Sequence, residues 1–133
     1  MFAKTILLLL IVVAVCNAKL QRITVKGRTI CNTKQMGRVK IELREADTFD
    51  PDDTLATVHS DAEGFFEISG EEDEVGSIEP YLWVSHNCVD GVIKPECEVT
   101  DEYQIPKEYI NSVYSMAFLN LNIISDKNTR KCL

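Results

Sequence analysis

The sequence predicts an all-β protein, a β-sandwich of two packed sheets made from about seven short strands. Three observations lead there. Apolar residues recur at every second position in one segment after another, the period of a pleated strand with one buried face. Turn formers (Gly, Pro, Asn and Asp) separate those segments at short intervals. No segment after residue 18 sustains the 3.6-residue period of a helix that buries one face.

The chain opens with Lys4 ahead of an apolar run from Thr5 to Val15 that ends in Cys16-Asn17-Ala18. A charged start, a short apolar middle and small residues at the exit read as a secretory signal peptide over 1–18, too short for a span of about 20 residues. Residues 19–133 then form one domain with one core, and no second apolar run of spanning length follows. Ile23, Val25, Thr29 and Cys31 alternate with Thr24, Lys26, Arg28 and Ile30, a first strand with one mostly apolar face and one basic face. Asn32 to Gly37 breaks it. Val39, Ile41 and Leu43 alternate with Lys40, Glu42 and Arg44 in a second half-buried strand.

Asp47 to Thr54 is an acidic loop stiffened by Pro51. Leu55 to Ser60 and Phe65 to Ile68 alternate on either side of Asp61-Ala62-Glu63-Gly64, which predicts a hairpin ending at Gly70. Glu71-Glu72-Asp73-Glu74 is dense in like charge and is expected to be a solvated loop or one helical turn. Pro80 starts the most aromatic strand, Tyr81 to Cys88. Leu82, Val84 and His86 share one face and Tyr81, Trp83 and Ser85 the other, so a core covers one side and a loop or a partner the other. Cys97 to Ile105 reads as a further strand closed by Pro106, Pro106 to Ile110 as a helical turn, and Met116 to Ile124 as the last strand before a polar tail.

Beyond the leader, four cysteines remain: Cys31, Cys88, Cys97 and Cys132. An even number in a secreted domain implies two disulfides, and three pairings satisfy four cysteines. Cys88 with Cys97 is preferred because Gly91 and Pro95 let the chain reverse between them, and Cys31 with Cys132 then ties the tail to the first strand. In the chain-entropy model the long closure contributes about 4–5 kcal/mol and the short one about 2–3. Zinc is disfavoured because no C-x-x-C pair exists. The formal net charge is -7, and it is uneven. Residues 19–44 hold the bases Lys19, Arg22, Lys26, Arg28, Lys34, Arg38, Lys40 and Arg44 against the single acid Glu42, whereas residues 45–102 are acidic with Lys94 as their one base. Such a balance argues against nucleic acid as a partner.

VKGRTICN at Val25–Asn32, VKIELREADTFDPDDTLATVHSDAEGFFEISG at Val39–Gly70, IEPYLWVSHNC at Ile78–Cys88, FLNLNI and a late RKC follow one another in an order that resembles the transthyretin-like family of secreted nematode proteins. The resemblance covers nearly all of residues 19–133. It implies a transthyretin-type (prealbumin-like) sandwich and an extracellular address, in a large nematode set whose individual roles are mostly unassigned; action by binding is the reading adopted for this chain. One role described in that family is a soluble bridge between phosphatidylserine on dying cells and an engulfment receptor. Transthyretin itself carries a small hydrophobic ligand in a tetramer channel, which supplies an alternative reading.

The residues narrow these readings. The 5-hydroxyisourate hydrolases have a similar fold, but their histidine in the first strand and their Tyr-Arg-Gly-Ser ending have no counterpart in Ile23–Cys31 or in Arg130-Lys131-Cys132-Leu133. His59 and His86 are expected to pack or hydrogen-bond rather than act as bases. No G-x-S-x-G, H-E-x-x-H or P-loop pattern occurs, so the expectation is a non-enzyme without a cofactor. Trp83, Tyr81 and Phe65 are candidates for an interaction face toward a receptor or a second copy in a homodimer. Lys26 and Arg28 are candidates for an anionic lipid headgroup. Lys40 and Arg44 also turn outward, but transthyretin places its first two strands in opposite sheets, which would separate the two basic pairs. Asp47, Asp50, Asp52 and Asp53 offer oxygen ligands of the type calcium takes, but without EF-hand spacing, and solvated loop acids that also cap turns are the favoured explanation, so no metal is expected. No N-x-[ST] acceptor is present, so N-glycosylation is not expected.

Overall fold

The computed structural model describes residues 19–74 and 76–133; the signal peptide expected over 1–18 lies outside them. The described residues form twelve strands, more than the seven expected because several are two-residue ladders, and one short 3-10 turn at Lys107–Tyr109. The strands are β1 (Lys19–Cys31), β2 (Lys34–Gln35), β3 (Lys40–Glu45), β4 (Asp53–His59), β5 (Phe65–Glu74), β6 (Pro80–His86), β7 (Cys88–Val89), β8 (Val92–Ile93), β9 (Cys97–Gln104), β10 (Val113–Ser115), β11 (Leu119–Asn120) and β12 (Thr129–Cys132).

Two five-stranded sheets make the sandwich. In the first, β1 pairs antiparallel with β5 and β2 and parallel with β10 and β11. The second runs β12-β9-β6-β3-β4, all antiparallel. Alternation aims Ile23 and Val25 of β1 and Phe66 and Ile68 of β5 at Ile41 and Leu43 of β3 and Leu82 and Val84 of β6, all buried in one core. The first two long strands, β1 and β3, therefore sit in opposite sheets.

Several expectations are corrected. Leu55–Ser60 and Phe65–Ile68 do not form a hairpin: β4 pairs with β3 and β5 pairs with β1, so the segment crosses from one sheet to the other. The turn chemistry is real, with the Asp61 carboxylate accepting from the N–H groups of Glu63 and Phe65 and Gly64 at φ +95. A Cβ there would stand 2.5 Å from the Thr29 carbonyl oxygen. A turn fixes a reversal but does not say which sheet each arm joins. Glu71–Glu74 is not a loop but the end of β5, with Arg22 directly opposite Glu71, where ladder bonds and an opposite charge outweigh the like charges along the strand. Met116–Ile124 is not one strand. Only β11 falls inside it: the chain runs along the free edge of β1 first as β10, just before Met116, and again as β11, the two separated by Ala117, which takes φ 62. The polar tail supplies β12, a strand that its composition does not announce.

Both disulfides are present, but paired differently from the preferred scheme, as Cys31–Cys88 and Cys97–Cys132. Cys31 ends β1 on its inner face and reaches across the core to the residue that opens β7. Cys97 and Cys132 are directly opposite on β9 and β12, with Cα atoms 4.0 Å apart. The loop that a Cys88–Cys97 bridge would have clamped closes by itself as the β7–β8 hairpin. Its tip is Asp90-Gly91, both at positive φ (52 and 79), the turn a two-residue hairpin favours.

Candidate functional site

Each outer face of the sandwich carries an aromatic ring under an arginine. On the first sheet, Arg28 and Phe65 are opposite one another on β1 and β5, and the Arg28 guanidinium lies 4.4 Å from the Phe65 ring centroid. Arg28 Nε donates to the Glu63 carbonyl at 2.8 Å, and its terminal nitrogen donates to Gln35. Lys26 pairs with Glu67 at 3.7 Å, both half exposed, a pair worth little in water. Phe65 is 48% and Phe118 58% exposed. Beside Phe65 runs an open groove of about 460 Å³ floored by Gly27, Phe66 and Ala117.

On the second sheet, Trp83 lies under Arg44 at 4.4 Å, with Lys40 at 5.8 Å. Arg44 is held by Glu42 at 3.1 Å, and Glu42 accepts in turn from the Thr54 hydroxyl. Tyr81 shares the strand face of Trp83 but is buried beneath the acidic loop, where its hydroxyl donates to Asp52. Burial first, and then the Asp52 carboxylate, push its pKa up to about 12. Trp83, Tyr81 and Phe65 therefore do not form one surface, because β5 and β6 belong to opposite sheets. Phe65 instead joins Lys26 and Arg28, and Trp83 joins Lys40 and Arg44.

His86 is locked in the interior. Its Nε2–H donates to Asp101 at 2.8 Å, and its Nδ1 accepts from the Cys88 N–H at 3.0 Å, which fixes the neutral tautomer. The other Asp101 oxygen accepts from the Ser125 N–H and hydroxyl and from Asn128. Burial lowers the His86 pKa against the opposing pull of Asp101. Asp101 is pushed up by burial, but its donors outweigh that and hold it below the usual range. With both ring nitrogens committed and its side chain wholly buried, His86 presents no basic nitrogen to a substrate. His59 is exposed on the rim of a depression of about 430 Å³.

The fourth cluster lies at the far end of the core. Ile41, Leu43 and Glu45 share the inward face of β3, and Glu45 is 1% exposed. One carboxylate oxygen from each of Glu45, Asp47 and Asp53 lies within 4.8 Å of the others. Burial first, and then the Glu74 carboxylate, push Glu45 up to about 7, with Glu72 adding to the effect. Of the four aspartates read as calcium candidates, Asp47 and Asp53 are in this group. Asp52 is engaged by Tyr81 and the Asp47 N–H, and Asp50 is exposed outside it. Glu45 carries a signal that sequence reasoning missed, since extending the Ile41–Leu43 alternation by one step puts an acid on the core face.

A family model described as the Transthyretin-like family matches residues 26–106. Transthyretin-like protein 16 of Caenorhabditis elegans is 43% identical over 117 residues, covering 88% of this chain and 87% of its own. Transthyretin-like protein 2 of the same nematode is 34% identical over 125 residues, covering 85% and 83%. Among solved structures, a 9R-lipoxygenase from Cyanothece overlays 77% of this chain and 16% of its own at TM-score 0.47 and 18% identity, a likeness too loose to bear on fold or function.

Proposed function

The chain belongs to the transthyretin-like family, and on that premise we propose that it is a secreted extracellular binding protein, a recognition factor that bridges two partners across its sandwich, one of them an anionic lipid headgroup. The observation that carries this reading is the pair of arginine-capped aromatics, Arg28 over Phe65 and Arg44 over Trp83, on opposite exteriors of one rigid core. Exposed aromatics and arginines are the residues interfaces favour, and two such centres facing apart suit a bridge better than a single-site binder. The Lys26 and Arg28 side is the lipid-facing one, since its pair with Glu67 is exposed and easily exchanged for a phosphate. A catalytic role has no support at His86, whose nitrogens are both bonded.

Sedimentation with phosphatidylserine and phosphatidylcholine vesicles tests this. Selective pelleting with phosphatidylserine is expected, lost in K26E/R28E and kept in W83A. Absence of pelleting, or pelleting unchanged in K26E/R28E, removes the lipid bridge. A carrier of a small hydrophobic ligand is the second reading, favoured by the groove beside Phe65, whose size suits a small molecule. Saturable quenching by an apolar fluorescent probe, abolished by A117W, would favour it.

A further inference from the structure

We infer that Glu45, Asp47 and Asp53 form a binding site for a hard divalent cation, with calcium the ion that fits. Three independent features of the fold build it. The first is register. Between Leu43 and Arg44 the β3–β4 pairing slips, leaving Leu55 as the extra residue, so that Asp53 rather than Thr54 stands opposite Glu45. Directly opposed residues share a face, so the bulge turns the Asp53 carboxylate to the side of Glu45.

The second is an unmet acceptor. Glu45 is 1% exposed and its Oε2 has no hydrogen-bond partner among the described residues, although one oxygen of the same carboxylate stands within 4.8 Å of ligand oxygens from Asp47 and Asp53. A buried carboxylate oxygen without a donor is costly and rare, and a cation held between these carboxylates would supply the missing partner. The third is charge. Glu72 and Glu74 of β5 close in on the same carboxylate from the opposite sheet. Among the described residues none of the five acids has a Lys, Arg or His within ion-pair distance.

The donor set selects the ion. Carboxylate oxygens without His or Cys suit hard cations rather than zinc or copper. Ligands on opposite sides of calcium, at about 2.3–2.6 Å each, stand up to about 5 Å apart, whereas magnesium draws its ligands closer and demands an octahedron. The loop is pinned for the purpose, with the Ala46 N–H donating to the Glu79 carbonyl at 3.0 Å and the Asp47 N–H to Asp52 at 3.1 Å.

Thermal melts and titration calorimetry of the full chain with calcium chloride, magnesium chloride and chelator test the site. Calcium in roughly hundredfold excess over its dissociation constant should raise Tm by about 5–10 °C. Magnesium should do less. E45Q and D53N should lose the shift, while D126N, an exposed acid elsewhere, keeps it. Because Gln keeps the size of Glu45 and removes a buried charge, E45Q should melt no lower than wild type in chelator, which separates loss of the site from loss of the fold. A wild-type melt unmoved by calcium, or a shift preserved in E45Q and D53N, overturns the inference.

Discussion

Asp101 and Glu45 are each 1% exposed on strands of the same sheet, yet their surroundings drive them in opposite directions. Asp101 collects donors from His86, Ser125 and Asn128, and its pKa falls. Glu45 faces Glu74 and Glu72, keeps one oxygen without a donor, and rises to about 7. Burial is common to both, so burial does not decide the role. The donors do: a buried carboxylate that is fully bonded is scaffold, and one that is left wanting is a site.

The largest expected effect tests the scaffold half. Asp101→Ala strands the His86 Nε2–H, the Ser125 hydroxyl and the Asn128 amide, and should cost about 3–5 kcal/mol in denaturant unfolding. Asp101→Asn keeps the shape and one acceptor and should cost less, giving a folded variant to measure if the alanine does not fold. A loss under about 1 kcal/mol for the alanine would mean that the network is not structural.

Glu45→Gln has the opposite sign. In chelator at pH 8 it removes a buried charge and supplies an amide that can donate to the neighbouring carboxylates, so a gain of about 2 kcal/mol is expected. A loss of that size would show that Glu45 is satisfied after all and the contrast with Asp101 false.

The smallest effect is in the pH profile, best read in the E45Q background, where the larger opposing titration, that of Glu45, is gone and the smaller one of Glu72 is common to every variant compared. His86 has a folded pKa below its unfolded value of about 6.5, so its neutral form favours the fold. That contribution is complete above about pH 6.5 and is lost as pH falls, because the unfolded chain takes the proton first. Asp101, also lowered, adds its own loss further down as pH falls through its folded value. Between pH 7 and 5 the E45Q protein should lose of the order of 1 kcal/mol, and the E45Q/H86Q protein much less. Parallel profiles would mean that His86 does not titrate in the unfolded chain as argued.

The inward faces of β1 and β3 were legible from alternation alone, because each has a polar or basic partner face to set the contrast, whereas β6 sets Tyr81 and Trp83 against Leu82 and Val84 and offers no such contrast. Legibility ended where the partner of a segment lies far away in the chain. Asp61-Ala62-Glu63-Gly64 encodes a turn, but whether its arms pair with each other or with β3 and β1 is settled by the core between the sheets. Thr129–Cys132 becomes a strand only because β9 offers an open edge, and the cysteine pairing follows from that. At the candidate site, Asp47 and Asp53 could be suspected from their loop, but Glu45 was hidden because its strand appeared to end at Arg44. The two aromatic centres were visible as residues and not as faces, since sheet membership decides which aromatic meets which arginine.

The Cys31–Cys88 bond has a mechanical side. A molecule gripped on both exteriors is pulled apart across its core, the direction in which packing alone gives way once the two layers separate by a small distance. This bond ties β1 of one sheet to Cys88, two residues beyond β6 of the other, so tension runs through a covalent strut and the apolar layer is spared. Reducing that one crosslink would leave the contacts of the resting molecule in place and change how long it holds when pulled.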